Sequence, residues 1–299
     1  MAADGFSAES AARALAVAGA ETGLNVAGAE LLRLGENAIY RLRSVPLVAR
    51  IARTIEYLPD VETEVAAARW LESEQFPAVR LAGPAVQPVV ADGRVVTFWE
   101  LLGERTMFGT VGELAVLLRR LHALVPPSSL ALPLLRPFAR VEGRINGSDL
   151  AEHDRAFLRA RLVELRARYE RLMFSLQFGP VHGDANIGNI LRRESDGVAV
   201  LTDLDGFSFG PREWDLVLTA MYFERFGWHT EREYREFADT YGFDVRAWPG
   251  YPVLREVREL TMTTWIMQNI GESAAIAAEF ALRVQSLRER DFARAWHFF

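Results

Sequence analysis

The residues best equipped for chemistry lie between Val181 and Asp205, in the run VHGDANIGNILRRESDGVAVLTDLD. It holds a His-Gly-Asp, an asparagine five residues after that aspartate, and another aspartate at the end of the next apolar run. Residues 198–202 read as a buried strand, Ser195-Asp196-Gly197 as the turn before it, and Asn189-Ile190-Leu191 as the opposing strand. A loop followed by such a hairpin would bring Asp184, Asn189 and Asp203 to one point, although the outer two are nineteen positions apart. Phosphoryl transfer from ATP asks for little covalent help. It needs an acceptor hydroxyl oriented in line and charge neutralised on the γ-phosphoryl. Asp184 can accept or orient the hydroxyl proton, while Asn189 and Asp203 offer oxygens to Mg²⁺, a hard cation. Taken singly, each residue could merely close a turn or cap a helix. The ordered set points to a metal beside a base.

His-Gly-Asp-x-x-x-x-Asn, followed by an apolar run ending in Asp, resembles the aminoglycoside phosphotransferase and choline kinase-like family of small-molecule kinases. The resemblance extends over most of the chain and implies a protein-kinase-like fold. It further implies Asp184 as catalytic base, Asn189 and Asp203 as magnesium ligands, and His182 as a buried hydrogen-bonding support. Asp215, which follows Gly210 and Pro211 in GPREWDLV, corresponds to the family's aspartate that braces the catalytic loop from the next helix. Asp205 has two readings: a second metal or substrate-orienting ligand, or an ordinary turn residue before Gly206.

The elements that must position these groups are visible in the first half. Residues 29–34, 38–44 and 46–52 are short β-rich runs separated by Gly35-Glu36-Asn37 and Ser44-Val45-Pro46, as in an antiparallel meander. Asp60 opens a helix whose apolar stripe is Val61, Val65, Ala68 and Leu71, and Glu64 lies on that same face. A carboxylate there wants a cation, and Arg50 in the strand Leu47 to Ile51 is placed to supply it. In the resembled family this pair anchors the α- and β-phosphates, usually with lysine. Here the sequence contains no lysine at all, so all 34 cationic side chains are arginine. Arg keeps the charge and adds a planar fork suited to phosphate, with a different reach. The same absence excludes a Walker A loop and a lysine Schiff base. Leu34 to Tyr40 takes the place of a nucleotide-covering loop without a GxGxxG pattern. Val95 to Phe98 reads as a strand leading to a hinge, where backbone groups of Glu100 and Leu101 would meet a purine edge.

No stretch approaches the eighteen apolar residues of a membrane span. From Ser7 onward the N-terminal region is an Ala-rich helical pattern, with no basic region before an apolar core, so no secretion signal is expected. Zero cysteines exclude disulfides and thiolate metal sites, and a net charge of −6 argues against nonspecific nucleic-acid binding. Thr110 and Glu113 form a capping box for a helix carrying Leu114, Leu117, Leu118 and Leu121. Residues 126–137 are a Pro-rich surface connection. Leu158, Leu162, Leu165, Tyr169 and Leu172 make one face of a long helix, and Pro211 suits the first position of a later one. Residues 251–299 carry six acids (Glu256, Glu259, Glu272, Glu279, Glu289, Asp291) and six arginines (255, 258, 283, 288, 290, 294), a balance that does not favour a strongly cationic acceptor. Trp228, Tyr234, Tyr241, Trp248 and Tyr251 could stack on a ring but suit a core better, and His229 suits packing better than ligation.

Two rivals carry weight. Gly206-Phe207-Ser208-Phe209-Gly210 matches the GxSxG elbow of serine hydrolases, but Ser208 lies five residues beyond Asp203 and alternating strands do not follow. A noncatalytic nucleotide-binding protein could keep a kinase-like fold. The sequence therefore leads to an α+β, two-lobe, protein-kinase-like fold: residues 1–103 a nucleotide-binding lobe with an antiparallel sheet and one helix, residues 104–299 a mainly helical lobe with the catalytic loop and acceptor site. The expected activity is ATP- or GTP- and Mg²⁺-dependent phosphorylation of a small-molecule hydroxyl, first an antibiotic or secondary metabolite, then a nucleoside, sugar or amino-alcohol. The expected setting is cytoplasmic, without nucleic-acid or membrane partners.

Overall fold

In the computed structural model, residues 5–82, 86–290 and 296–297 are described. Asp291 and Arg294, counted above, lie outside them. Two compact units form: residues 1–109, 125–133 and 188–207 make the first, and 110–124, 134–187 and 208–299 the second.

The first unit begins with α1 (Ala8–Thr22), opened by a Ser7/Ser10 capping box. The strands β1 (Glu30–Leu34), β2 (Asn37–Arg41), β3 (Leu47–Ala52), β4 (Val89–Ala91) and β5 (Arg94–Glu100) form one antiparallel sheet in the order β1-β2-β3-β5-β4. Period-two alternation sorts β3 between its faces. Ala49 and Ile51 join Ala38, Tyr40 and Phe98 in a core with Ala11, Ala14, Leu15 and Ala18 of α1. The opposite face, carrying Ala52 and Val95, packs on Val61 and Val65 of α2 (Leu58–Ser73). Arg50 shares that face by parity, opposite Thr97 in the ladder. The Ala-rich α1 is thus a second helix of this unit, covering the sheet face that α2 leaves open.

The hairpin of β7 (Ile190–Arg192) and β8 (Ala199–Leu201) also belongs to the first unit. Backbone bonds tie it down: Val79 N–H donates to Leu201 O, Leu201 N–H to Pro77 O, Arg192 N–H to Met107 O and Gly109 N–H to Ile190 O.

The second unit is mainly helical: α3 (Val111–Ala123), α4 (Val141–Asn146), α5 (Glu152–Tyr169), α6 (Glu213–Glu224), α7 (Glu231–Tyr241), α8 (Tyr251–Ile266) and α9 (Ala274–Glu289). The Thr110/Glu113 capping box is present at the start of α3. A two-stranded sheet joins β6 (Phe178–Val181) to β9 (Ser208–Pro211). Pro211 therefore does not open a helix: it ends β9 opposite Phe178, and α6 starts at Glu213. A proline lacks only a donor, which costs little at the end of a two-stranded ladder.

Candidate active site

In the first unit the site is built around a cation. Glu64 is buried on α2, and its Oε1 accepts from Arg50 Nη1 at 2.5 Å. The expected ion pair forms because both residues occupy the interface between β3 and α2, where neither charge can remain alone. Asn37, at the start of β2, faces Arg50 with its side-chain amide; in the orientation that puts the amide oxygen toward the guanidinium, it accepts from Nη2 at 2.8 Å and Nε at 3.0 Å. Arg50 Nη2 also lies 3.4 Å from Asp205 Oδ2 and 3.8 Å from Asp203 Oδ1. Burial opposes the Arg50 charge, but Glu64, Asp205 and Asp203 outweigh it and hold its pKa above the ordinary value. Burial likewise pushes the Glu64 carboxyl up to about 7 against the pull of Arg50. Glu64 is thus the member of the pair that titrates, and its Oε2 is buried without a hydrogen-bond partner.

Asp203 follows β8 with φ +60°, in the left-handed region that Asp tolerates better than most residues. The next turn is anchored by Leu204, which is fully buried, and by Phe207, packed edge-on against Trp70 of α2 at 6.1 Å. These contacts set Asp203 and Asp205 beside the helix that carries Glu64. Thr202 N–H donates to Asn189 O at 2.9 Å, continuing the β7–β8 ladder by one step. Asn189 and Asp203 therefore share one end of the hairpin. Among the described residues, no group of three or more His, Cys, Asp or Glu is arranged to hold a metal ion. Asn189 and Asp203, with Asp205 close by, could hold Mg²⁺ only with help from water and phosphate oxygens, which is how this ion commonly binds alongside nucleotides.

At the position expected to meet a purine edge, the N–H groups of Glu100 and Leu101 have partners within the first unit. Glu100 N–H donates to Arg80 O and Leu101 N–H to Pro46 O, both at 2.9 Å. The strand β5 runs to Glu100, two residues beyond the apolar run Val95 to Phe98.

In the second unit the arrangement centres on an anion. Asp215, fully buried on α6, accepts from His182 N–H at 2.7 Å, Gly183 N–H at 2.9 Å and His122 Nε2 at 3.1 Å. Burial alone would raise its pKa, yet the hydrogen bond and charge of His122, with His182, hold it below the usual carboxylate range. His122 Nδ1 in turn meets the Tyr241 hydroxyl at 2.8 Å. His182 is fully buried, and its Nδ1 accepts from Asp184 N–H at 3.2 Å. Gly183 has φ +89°, so the loop needs a glycine between the buried histidine and the half-exposed Asp184 carboxylate. Asp184 Oδ2 accepts from Asn186 Nδ2 at 3.1 Å.

The acids of the C-terminal helices are largely consumed by arginines. Glu256 is paired with Arg161 and Arg168, Glu259 with Arg225, and Glu279 with Arg283, all within the second unit. Tyr234, Trp248 and Tyr251 are buried, and His229 is a buried neighbour of Tyr222. Ser208 is buried in β9 opposite Val181, not at a strand-to-helix turn, so the hydrolase elbow is absent. Asn37, His122, Asn186, Trp214 and Arg258 were missed in the sequence. Only His122 carried a signal, as a histidine on the apolar face of α3.

The family described as "Phosphotransferase enzyme family" matches residues 30–257, a span that takes in Arg50, Glu64, the His-Gly-Asp loop, the hairpin and Asp215. The chain belongs to this family. Similar solved structures include amicoumacin kinase hAmiN in complex with AMP-PNP, Ca²⁺ and Ami (15% identity, 90% of each chain covered, TM-score 0.67). Choline kinase LicA from Streptococcus pneumoniae aligns at 15% identity over 92% of this chain and 98% of its own, TM-score 0.66. Aminoglycoside phosphotransferase APH(3'')-Id from Streptomyces rimosus ATCC10970 aligns at 18% identity over 83% and 97%, TM-score 0.58. These likenesses show the fold, which is the kinase-like α+β fold expected from the motifs. No curated protein sequence matches the chain. Among the described residues, no helix is long and apolar enough to cross a membrane.

Proposed function

We propose that the protein is a cytoplasmic small-molecule kinase that transfers the γ-phosphoryl group of ATP or GTP to a hydroxyl of its acceptor. The observation that carries this reading is Arg50, a buried guanidinium fixed by Glu64 and Asn37 and turned toward Asp203 and Asp205. A fork held this way is suited to phosphate oxygens. In the reaction the acceptor oxygen bonds to the γ-phosphorus, the bond to the β–γ bridging oxygen breaks, and the hydroxyl proton passes to Asp184. Bound Mg²⁺, held by Asn189 and Asp203, would supply neutralising charge at the phosphates. His182 and Asp215 keep the loop of Asp184 in shape, and Asp205 shares the Arg50 charge.

For the acceptor, an antibiotic or related secondary metabolite is the first choice, supported among the similar structures by amicoumacin kinase, by APH(3'')-Id in complex with ADP and streptomycin, and by spectinomycin phosphotransferase. A nucleoside, sugar or amino-alcohol metabolite is the second, and the choline kinases favour its amino-alcohol form. The test is nucleotide turnover across a panel of antibiotics and metabolites, comparing wild type with Asp184→Asn and reading the gain of one phosphate by mass. Nucleotide binding with no acceptor ever phosphorylated would instead make the protein a noncatalytic nucleotide binder.

A further inference from the structure

Arg258, in the middle of α8, is a buried guanidinium lying 3.8 Å from the centre of the Trp214 indole. Its Nη2 donates to the Gly183 carbonyl at 2.8 Å and to the Trp214 carbonyl at 3.3 Å. Trp214 Nε1 donates to the same Gly183 carbonyl at 2.8 Å. The Gly183 N–H is bound by Asp215, so the residue before Asp184 is held at both of its backbone polar groups. Arg258 then reaches on: Nη1 lies 3.6 Å from Asp184 Oδ1, while Asn186 bonds Oδ2.

This arrangement is costly. Burial lowers the Arg258 pKa, and Nε is buried without a hydrogen-bond partner. A methionine or leucine in the same space would avoid that desolvation, and buried ion pairs are often replaced by apolar residues without loss of stability. Packing therefore does not account for an arginine here. Its contacts do: they converge on one peptide link and the carboxylate that follows it.

We propose that Arg258 is a positioning residue for Asp184, fixing the peptide that precedes the base and holding its carboxylate toward the acceptor hydroxyl. The inference rests on the proposed function for the role of Asp184. It extends that reading to a residue outside the motifs, supplied by α8.

The test is a double-mutant cycle read by slow Mg·ATP hydrolysis and by transfer to any acceptor found in the panel. Arg258→Met lowers kcat roughly 100-fold through misplacement of the base, with KM for ATP within about twofold of wild type. Arg258→Lys, which keeps the charge but not the fork, falls between the two, and guards against a methionine variant that fails to fold. In an Asp184→Asn background Arg258→Met costs less than about twofold more, because it acts through the carboxylate already removed. An equal loss in both backgrounds, or full activity in both Arg258 variants, overturns the proposal. If the wild type binds ATP yet phosphorylates neither water nor any acceptor, the proposed function fails, and Arg258 is judged by amide exchange. Arg258→Lys must then speed exchange at Gly183 and Asp184 by about tenfold or more without changing the rest of α8. Unchanged exchange there refutes the clamp.

Discussion

Around Arg50 one cation gathers carboxylates and an amide oxygen; around Asp215 one carboxylate gathers N–H donors. The two centres are close to mirror images in charge, but they differ in how completely they are satisfied. Asp215 is fully buried and accepts three hydrogen bonds, two from the backbone N–H groups of His182 and Gly183. Around Arg50, Glu64 Oε2 has no hydrogen-bond partner, Asp203 is in a left-handed conformation, and the Asp203 side chain is 48% exposed. A saturated network stiffens a structure, whereas an unsaturated one keeps capacity for a ligand. The comparison supports the proposal that Asp215 serves the architecture and the Arg50 cluster serves binding.

The sharpest way to break that division is to remove one carboxylate from each centre. Asp215→Ala leaves the His182 and Gly183 amides and the buried His122 without their acceptor and should cost about 3–5 kcal/mol, read as a fall in the chemical-denaturation midpoint. Asp203→Ala should change stability by no more than about 1 kcal/mol while abolishing Mg·ATP engagement in calorimetry. Comparable destabilisation by both would erase the distinction. Next in size, Arg50→Met should raise KM for ATP roughly tenfold or more by deleting the charge-assisted fork, and Arg50→Lys by a few-fold only.

A pH series sharpens the same contrast. As pH falls from 8 to 6, Glu64 takes up a proton and ceases to anchor Arg50, so KM for ATP should rise in wild type and stay flat in Glu64→Gln. Stability moves the other way. With its folded pKa raised to about 7 from 4.5, Glu64 contributes stability that is fully present below 4.5 and is lost as pH rises through 7. Wild type should therefore lose ground to Glu64→Gln across that window in urea titrations. Asp215, held below the ordinary range, contributes stability that disappears only in acid, as pH falls through its lowered pKa. The smallest effect is expected from Asn37→Ala, about two- to threefold in KM for ATP, since Glu64 still holds the guanidinium.

How far the sequence foretold these centres depends on the range of the interactions. Glu64 stood out as a carboxylate in an apolar stripe, and its partner Arg50 followed from strand alternation. The hairpin was readable from Ser195-Asp196-Gly197 and the apolar run after it. Pairings without a local signature were not readable. His122 meets Asp215 from 93 positions away, and Arg258 meets Gly183 from 75. The β6–β9 sheet was hidden because Gly179 and Pro180 on one strand, and Gly210 and Pro211 on the other, look like turn residues. Pairing between the two segments overrides that local preference.

The most direct test of the central claim compares wild type and Asp184→Asn in a phosphorylation assay, with ATP affinity measured on the same samples. Turnover should fall by about 10²–10⁴-fold, the contribution of a general base, while ATP affinity stays within about twofold. Unchanged turnover in Asp184→Asn would contradict the assignment of the base and, with it, the kinase mechanism.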